Sequence, residues 1–223
     1  MDEQTLAASW ERNAGGWTAA VRSGAIVSRR EVTDAAIVAA VRRTGARSVL
    51  DLGCGEGWLV RTLAAEGCRV VGVDGAAALI AAARQAGGGT FHHRDYAAIA
   101  AAPTALGGPF EAIVCNFSLL GEALPALLCS LRRLAAPRGR LLIQTLHPLH
   151  LAGPYRDGWR TEAFQGLDGA MPAPMPWYFR TLGGWVNLLV RAGWTLQALE
   201  EPRAAPSAAP ASVLFVAVPA NAG

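Results

Sequence analysis

Three glycines at alternate positions, Gly53, Gly55 and Gly57, follow an apolar run that ends in Asp51-Leu52. Glycine has no Cβ, so a loop of this kind lets a nucleotide-like ligand lie against bare backbone. The spacing argues about which ligand. A dinucleotide loop reads Gly-x-Gly-x-x-Gly, and its third glycine packs the next helix closely on the strand. Here Trp58 stands at that place, and a bulky indole opposes such packing. Asp51 adds a negative charge before the loop. That charge repels a pyrophosphate and suits a ligand carrying a sulfonium and an ammonium group. Cys54 inside the loop is small enough to be tolerated there.

Further acids follow at strand tips. Residues 69–73 read as a second strand that ends in Asp74-Gly75. An acid there can accept both ribose hydroxyls of an adenosine moiety, or simply end the strand in a turn. A third unit ends in Asp95-Tyr96. Asp95 could accept from an adenine amino group, cap the helix that begins at Tyr96, or do both. A fourth strand, 110–115, runs into Asn116-Phe117-Ser118. In the usual doubly wound order it lies beside the first strand.

With these motifs the chain resembles the class I S-adenosylmethionine-dependent methyltransferases. The resemblance is carried by the glycine loop, Asp74, Asp95-Tyr96 and Asn116-Phe117-Ser118. It is good over about residues 45–146 and looser elsewhere. It implies S-adenosylmethionine as cofactor and S-adenosylhomocysteine as product. It also implies that the three glycines cradle the methionine part, Asp74 holds the ribose and Asp95 faces adenine. The acceptor is not implied, beyond a loose likeness to quinone-biosynthesis and related small-metabolite enzymes.

Other side chains bear on the acceptor. His147 directly follows the fifth strand, and Pro148 keeps it extended. Ligands of open α/β sheets bind beyond the carboxyl ends of the strands, so His147 is expected to open onto the crevice. It is the first candidate for a general base and His150 the second. Holding the lid by a hydrogen bond is the alternative for His147. The segment 147–182 carries many aromatics and prolines. It reads as a lid, with Tyr155, Trp159, Trp177, Tyr178 and Arg180 as candidate substrate-binding residues. A local mini-core over the end of the sheet is the competing account. Trp10 and Trp17 lie two turns apart on one helical face and could cover the cofactor. Arg29 or Arg30 could reach its carboxylate. His92 and His93 point to opposite faces of a strand, so no metal site is expected.

The elements that must position these residues alternate along the chain. Two helices, 2–22 and 30–44, precede the sheet, with Ser28 or Thr33 as cap of the second. Strands at 47–52, 69–73, 90–94, 110–115, 139–145, 194–201 and 212–218 alternate with helices at 57–66, 76–86, 122–135 and 184–193. This predicts an α/β, Rossmann-like, doubly wound fold. Its seven-stranded sheet is mostly parallel, with the last strand antiparallel by the resemblance. N-terminal helices and a lid after strand five complete a single domain over residues 1–223. Within it, 1–44 is a helical cap and 147–182 the substrate-lid insert. The loop 202–211 is expected to be mobile.

Composition excludes several classes. The chain has no lysine among its 20 basic Lys+Arg positions. A Walker lysine and a pyridoxal Schiff base are therefore impossible. A net charge of +3 on scattered arginines does not demand nucleic acid. No apolar run is long and clean enough to span a bilayer. The acidic N-terminus is unlike a signal peptide, so a cytoplasmic location is expected. The four cysteines have no Cys-x-x-Cys spacing and read as free packing residues. The expected function is methyl transfer to an O, N or C atom of a small apolar or aromatic metabolite. A catalytically silent cofactor-binding or interaction module is the alternative, and an NAD-dependent oxidoreductase is disfavoured. Oligomeric state is not legible.

Overall fold

The computed structural model describes residues 1–150, 153–162, 164 and 171–220. The expected lid and domain boundaries lie partly outside these residues. Helix α1 (Glu3–Ser23) starts at Asp2, whose carboxylate accepts from the Thr5 amide, and ends at Gly24 in the left-handed conformation. A π-helical turn, Arg29–Thr33, runs straight into α2 (Asp34–Thr44). Neither Ser28 nor Thr33 caps α2 with its side chain, because the chain is already helical there and no free N-terminus exists to cap.

Alternating units follow: β1 (Ser48–Leu52), α3 (Trp58–Ala65), β2 (Arg69–Asp74), α4 (Ala77–Ala86), β3 (Thr90–His93), α5 (Tyr96–Ala101), β4 (Phe110–Asn116), α6 (Pro125–Leu131) and β5 (Ala135–Leu146). A small antiparallel pair, β6 (Gly158–Glu162) and β7 (Met175–Phe179), intervenes before α7 (Leu182–Arg191), β8 (Trp194–Glu200) and β9 (Ser212–Pro219). The main sheet has seven strands in the order β3-β2-β1-β4-β5-β9-β8. The β1–β5 pairs are parallel, while β9 runs antiparallel to both β5 and β8. This is the expected doubly wound fold with its reversed last strand. The reversal of strand order beside β1 opens a crevice beyond the carboxyl ends of β1 and β4.

Helix α6 is shorter than the predicted 122–135. Pro125 enters it at the first turn, and Ala135 already pairs with Phe110 at the start of β5. The sheet is buried on both faces, as parallel sheets are. Alternation along β1 sends Leu50 and Leu52 into the core under α5–α7 and Val49 into the core under α2–α4. Asp51 therefore shares the face of Val49, towards α2 and the π-helical turn. Trp194 is fully buried, and its indole N–H donates to the Leu128 carbonyl at 2.8 Å. No described helix is long and apolar enough to cross a membrane.

Candidate active site

The glycine loop is built by β2 as much as by its own residues. The amides of Gly53 and Cys54 both donate to the Val73 carbonyl, at 2.7 and 2.9 Å. The Asp74 carboxylate accepts from Gly55 N at 2.9 Å and from Ala76 N at 2.8 Å. Burial raises the Asp74 pKa, with backbone hydrogen bonds opposing the shift. Each of its oxygens retains a lone pair for a hydroxyl donor. The glycines differ in what they do. A Cβ on Gly53 would overlap the Ser118 side chain, and one on Gly57 would meet Phe91 at 2.8 Å. Gly53 and Gly57 thus make room for protein atoms. Gly55 has φ +56°, and its pro-Cβ direction meets only the Trp17 indole N at 3.7 Å. It is the loop glycine that faces the cover formed by α1. Cys54 is buried under the loop, and burial lifts its thiol well above the usual range.

Asp51 is buried, and among the described residues its carboxylate accepts no hydrogen bond. Burial first, and the charge of Asp74 second, push its pKa up to about 7, with Arg29 opposing. Arg29 comes from the π-helical turn. Its Nε donates to Asp34 at 3.0 Å. Its guanidinium lies 4.8 Å from the Trp58 ring centre and 5.9 Å from that of Trp17. Its Nη2 is buried without a partner among the described residues. An unpartnered carboxylate and a guanidinium with an unpartnered nitrogen therefore flank one glycine loop. That donor set fits the ammonium and carboxylate of an amino acid. Sequence gave only a weak sign of Arg29, since no local motif marks it.

The turn after β4 is held at every residue. The Asn116 amide oxygen accepts from Gln144 Nε2, and Phe117 N donates to the Gln144 carbonyl at 2.8 Å. Ser118 Oγ donates to Leu52 O at 2.6 Å, and the Tyr96 hydroxyl donates to Ser118 O at 2.9 Å. Phe117 has φ +52°, a conformation costly for a bulky residue, and such strain persists only where the surroundings over-determine it. Asp95 caps α5, accepting from Ala98 N at 2.7 Å. Gly75 brings its backbone against Asp95, with a pro-Cβ distance of 3.8 Å to the Asp95 Cα.

The histidines and the described part of the insert are held by contacts within the protein. His147 is buried, and both ring nitrogens are engaged. Nε2 pairs with Glu201 at 2.9 Å, and Nδ1 accepts from Leu149 N at 3.2 Å. His150 contacts the Pro210 carbonyl. Both histidines thus tie the end of β5 to the β8–β9 connection. Among the described residues after His150, Gly158–Glu162 and Met175–Phe179 pair as antiparallel strands. Met175, Trp177 and Phe179 form a small core with Leu6 and Leu120. Arg180 donates to the carbonyls of Gly121 and Glu122, each at 2.8 Å, under the rings of Tyr178 and Trp185. The Trp159 indole donates to Glu122 at 3.1 Å and meets Tyr178 edge to face. The exposed Tyr155 accepts from Leu182 N through its hydroxyl. Among the described residues no group of acids, histidines and cysteines could hold a metal ion.

A doubly wound sheet with a reversed last strand, and a glycine loop facing acids at neighbouring strand tips, define the class I S-adenosylmethionine-dependent methyltransferase fold. The chain belongs to the methyltransferase domain family, whose model matches residues 27–199. Among solved structures it is similar to an S-adenosylmethionine-dependent methyltransferase from Mesorhizobium loti. The TM-score is 0.59 and the identity 24%, over 80% of this chain and 95% of that one. It is also similar to the glycopeptide N-methyltransferase MtfA, with TM-score 0.63 and 21% identity over 83% and 89% of the two chains. A third is magnesium protoporphyrin IX methyltransferase from Synechocystis PCC 6803, with TM-score 0.53 and 19% identity over 92% and 80%. MtfA has been crystallised with sinefungin, S-adenosylhomocysteine and S-adenosylmethionine, and the Synechocystis enzyme with bound S-adenosylmethionine. No curated protein matches the chain in sequence.

Proposed function

We propose that the chain binds S-adenosylmethionine over its glycine loop and transfers the methyl group to a small acceptor with apolar or aromatic character. The observation that carries this reading is the pair of the buried Asp51 carboxyl and the Arg29 guanidinium at the glycine loop, the latter with an Nη2 that has no partner among the described residues. Asp51 takes the ammonium of the donor, and Arg29 takes its carboxylate. Asp74 accepts from the ribose, and Asp95 and Tyr96 bound the adenine side. Gly53, Cys54, Gly57, Trp58 and Gly75 shape the cradle, and Asn116, Phe117 and Ser118 flank its methyl end. The sulfonium supplies an already activated methyl group, so the chain's own work is alignment and exclusion of water. Trp17 on α1 and the core of the insert serve that exclusion.

His147 is better suited to holding the insert than to accepting a proton, since neither ring nitrogen has a lone pair turned to the crevice. Trp177 and Arg180 act likewise by building the lid, which leaves Tyr155, Trp159 and Tyr178 to meet an acceptor at its outer side. The rings of Tyr155, Trp159 and Tyr178, none of them fully buried, favour an acceptor with apolar or aromatic character.

Calorimetry tests the donor assignment. S-adenosylmethionine and S-adenosylhomocysteine are expected to bind and NAD to give no heat. Arg29→Ala is expected to weaken S-adenosylhomocysteine by about tenfold or more, the scale of one charged hydrogen bond. It should leave 5′-methylthioadenosine, which lacks the amino-acid part, unaffected. Equal losses for both ligands would remove Arg29 from the carboxylate. Binding of NAD alone would sink the whole reading.

A further inference from the structure

Gln144, near the end of β5, is fully buried, and every polar atom of it is engaged. Its Nε2 donates to the Thr33 carbonyl at 2.9 Å and to Asn116 Oδ1 at 2.7 Å. Its Oε1 accepts from Ser212 Oγ at 3.1 Å, and its backbone carbonyl accepts from Phe117 N. The orientation of this amide is set by chemistry. Thr33 offers a carbonyl, which only accepts, so the nitrogen must face it and the oxygen must face the Ser212 hydroxyl. That orientation in turn decides the next amide. Asn116 must present its oxygen to Gln144, which turns its Nδ2 donor away from the protein contact.

Three separate segments meet at this one side chain. Thr33 closes the π-helical turn that carries Arg29, an irregularity often found at functional sites. Asn116 and Phe117 form the strained turn packed against Gly53 through Ser118. Ser212 opens β9. None of these contacts involves an atom of Gln144 that faces the crevice.

We propose that Gln144 is a positioning residue of the donor site: held between Thr33 and Ser212, it fixes the orientation of the Asn116 carboxamide. This rests on the donor reading given above. Its action runs through Asn116, so its effect on binding vanishes when Asn116 is absent. A residue that merely stabilised the fold would weaken binding equally with and without Asn116.

The test is a double-mutant cycle read by calorimetry with S-adenosylhomocysteine, with thermal melting of each protein alongside. Gln144→Met is expected to weaken binding about tenfold, the scale of one or two lost buried hydrogen bonds. Asn116→Ala is expected to weaken it too, and the double variant to bind no worse than Asn116→Ala alone. If Gln144→Met fails to fold, Gln144→Glu takes its place in the cycle. It has the same shape, and its carboxylate can donate to neither Thr33 nor Asn116. Wild-type affinity in the folded Gln144 variant, or losses that add in the double variant, would overturn the proposal. So would an Asn116→Ala protein that binds like wild type. Failure of the wild-type protein to bind S-adenosylhomocysteine is a separate result, and it removes the donor reading itself.

Discussion

Burial beside Asp74 lifts the Asp51 carboxyl from its ordinary value of 3.8 to about 7, and this has a measurable cost. Between those two values the folded chain holds a proton that the unfolded chain has released. The contribution of this group to stability is therefore full at low pH and is lost as pH rises through about 7. The loss is on the order of a few kcal/mol. Asp51→Asn stays neutral throughout. It is expected to melt higher than wild type at pH 8 and to differ much less at pH 5, while binding S-adenosylhomocysteine more weakly at both. A melting difference independent of pH would show that Asp51 is not a protonated acid in the unliganded fold. The position of Asp51 was plain in the sequence, because it precedes the glycine loop. Its partner was not, because Arg29 approaches from a turn whose π-helical geometry has no local signature.

At the scale of elements, α1 acts as a strap across the crevice. Glu3 accepts from the amides of Glu122 and Ala123, at 2.6 and 2.9 Å. Glu11 accepts from Ala78 N near the start of α4, and Asn13 exchanges hydrogen bonds with the backbone of Ala173. At the far end Arg22 pairs with Glu56 at 2.9 Å, and Glu56 is buried beside the glycine loop. Arg22→Ala cuts that last tie together with the 3.2 Å bond from Arg22 Nη2 to the Ala82 carbonyl, while Arg61 still pairs with Glu56 at 2.8 Å. Arg22 is 44% exposed, so the loss in stability should stay within about 1 kcal/mol. Stopped-flow measurement should instead show S-adenosylhomocysteine leaving several-fold faster. An unchanged dissociation rate would mean that α1 does not retain the ligand. The two tryptophans on one face of α1 mark the side of that helix that packs on Ala76 and Leu79. The acids that anchor it look like ordinary solvated charge when read in sequence.

Across the whole molecule, the described residues of the insert are tied to the rest of the fold at both its ends. Arg180 grips the 121–122 backbone, and His147 meets Glu201 at the end of β8. The connection from Pro202 to Ala211, expected to be mobile, closes on itself through a 2.7 Å hydrogen bond between Ala211 N and Pro202 O. If His147 is a strut, His147→Ala should lower the melting temperature, at about 1–3 kcal/mol for a buried partner lost. Affinity for S-adenosylhomocysteine should remain within about twofold, since no donor contact runs through it. Wild-type melting together with lost turnover of an identified acceptor would instead return His147 to the role of base.

Local pattern by itself determined the alternation of strands and helices, the glycine loop, and the acids at the strand tips. Each of these depends on residues close in sequence, whose periodicity and spacing carry the signal. The resemblance they support also anticipated the reversed last strand. Only the tertiary structure decided which polar atoms remain unpaired beside the loop, and which apparent site residues are engaged elsewhere. His147, Trp177 and Arg180 look available as a string of residue types, yet long-range packing occupies them. Gln144 looks unremarkable in the chain and Arg29 carries only a weak sign, yet the fold brings Gln144 between Thr33 and Asn116 and Arg29 against Trp58. Hydrogen-bond satisfaction is a property of the closed fold, where partners more than a hundred residues apart, such as Thr33 and Gln144, meet.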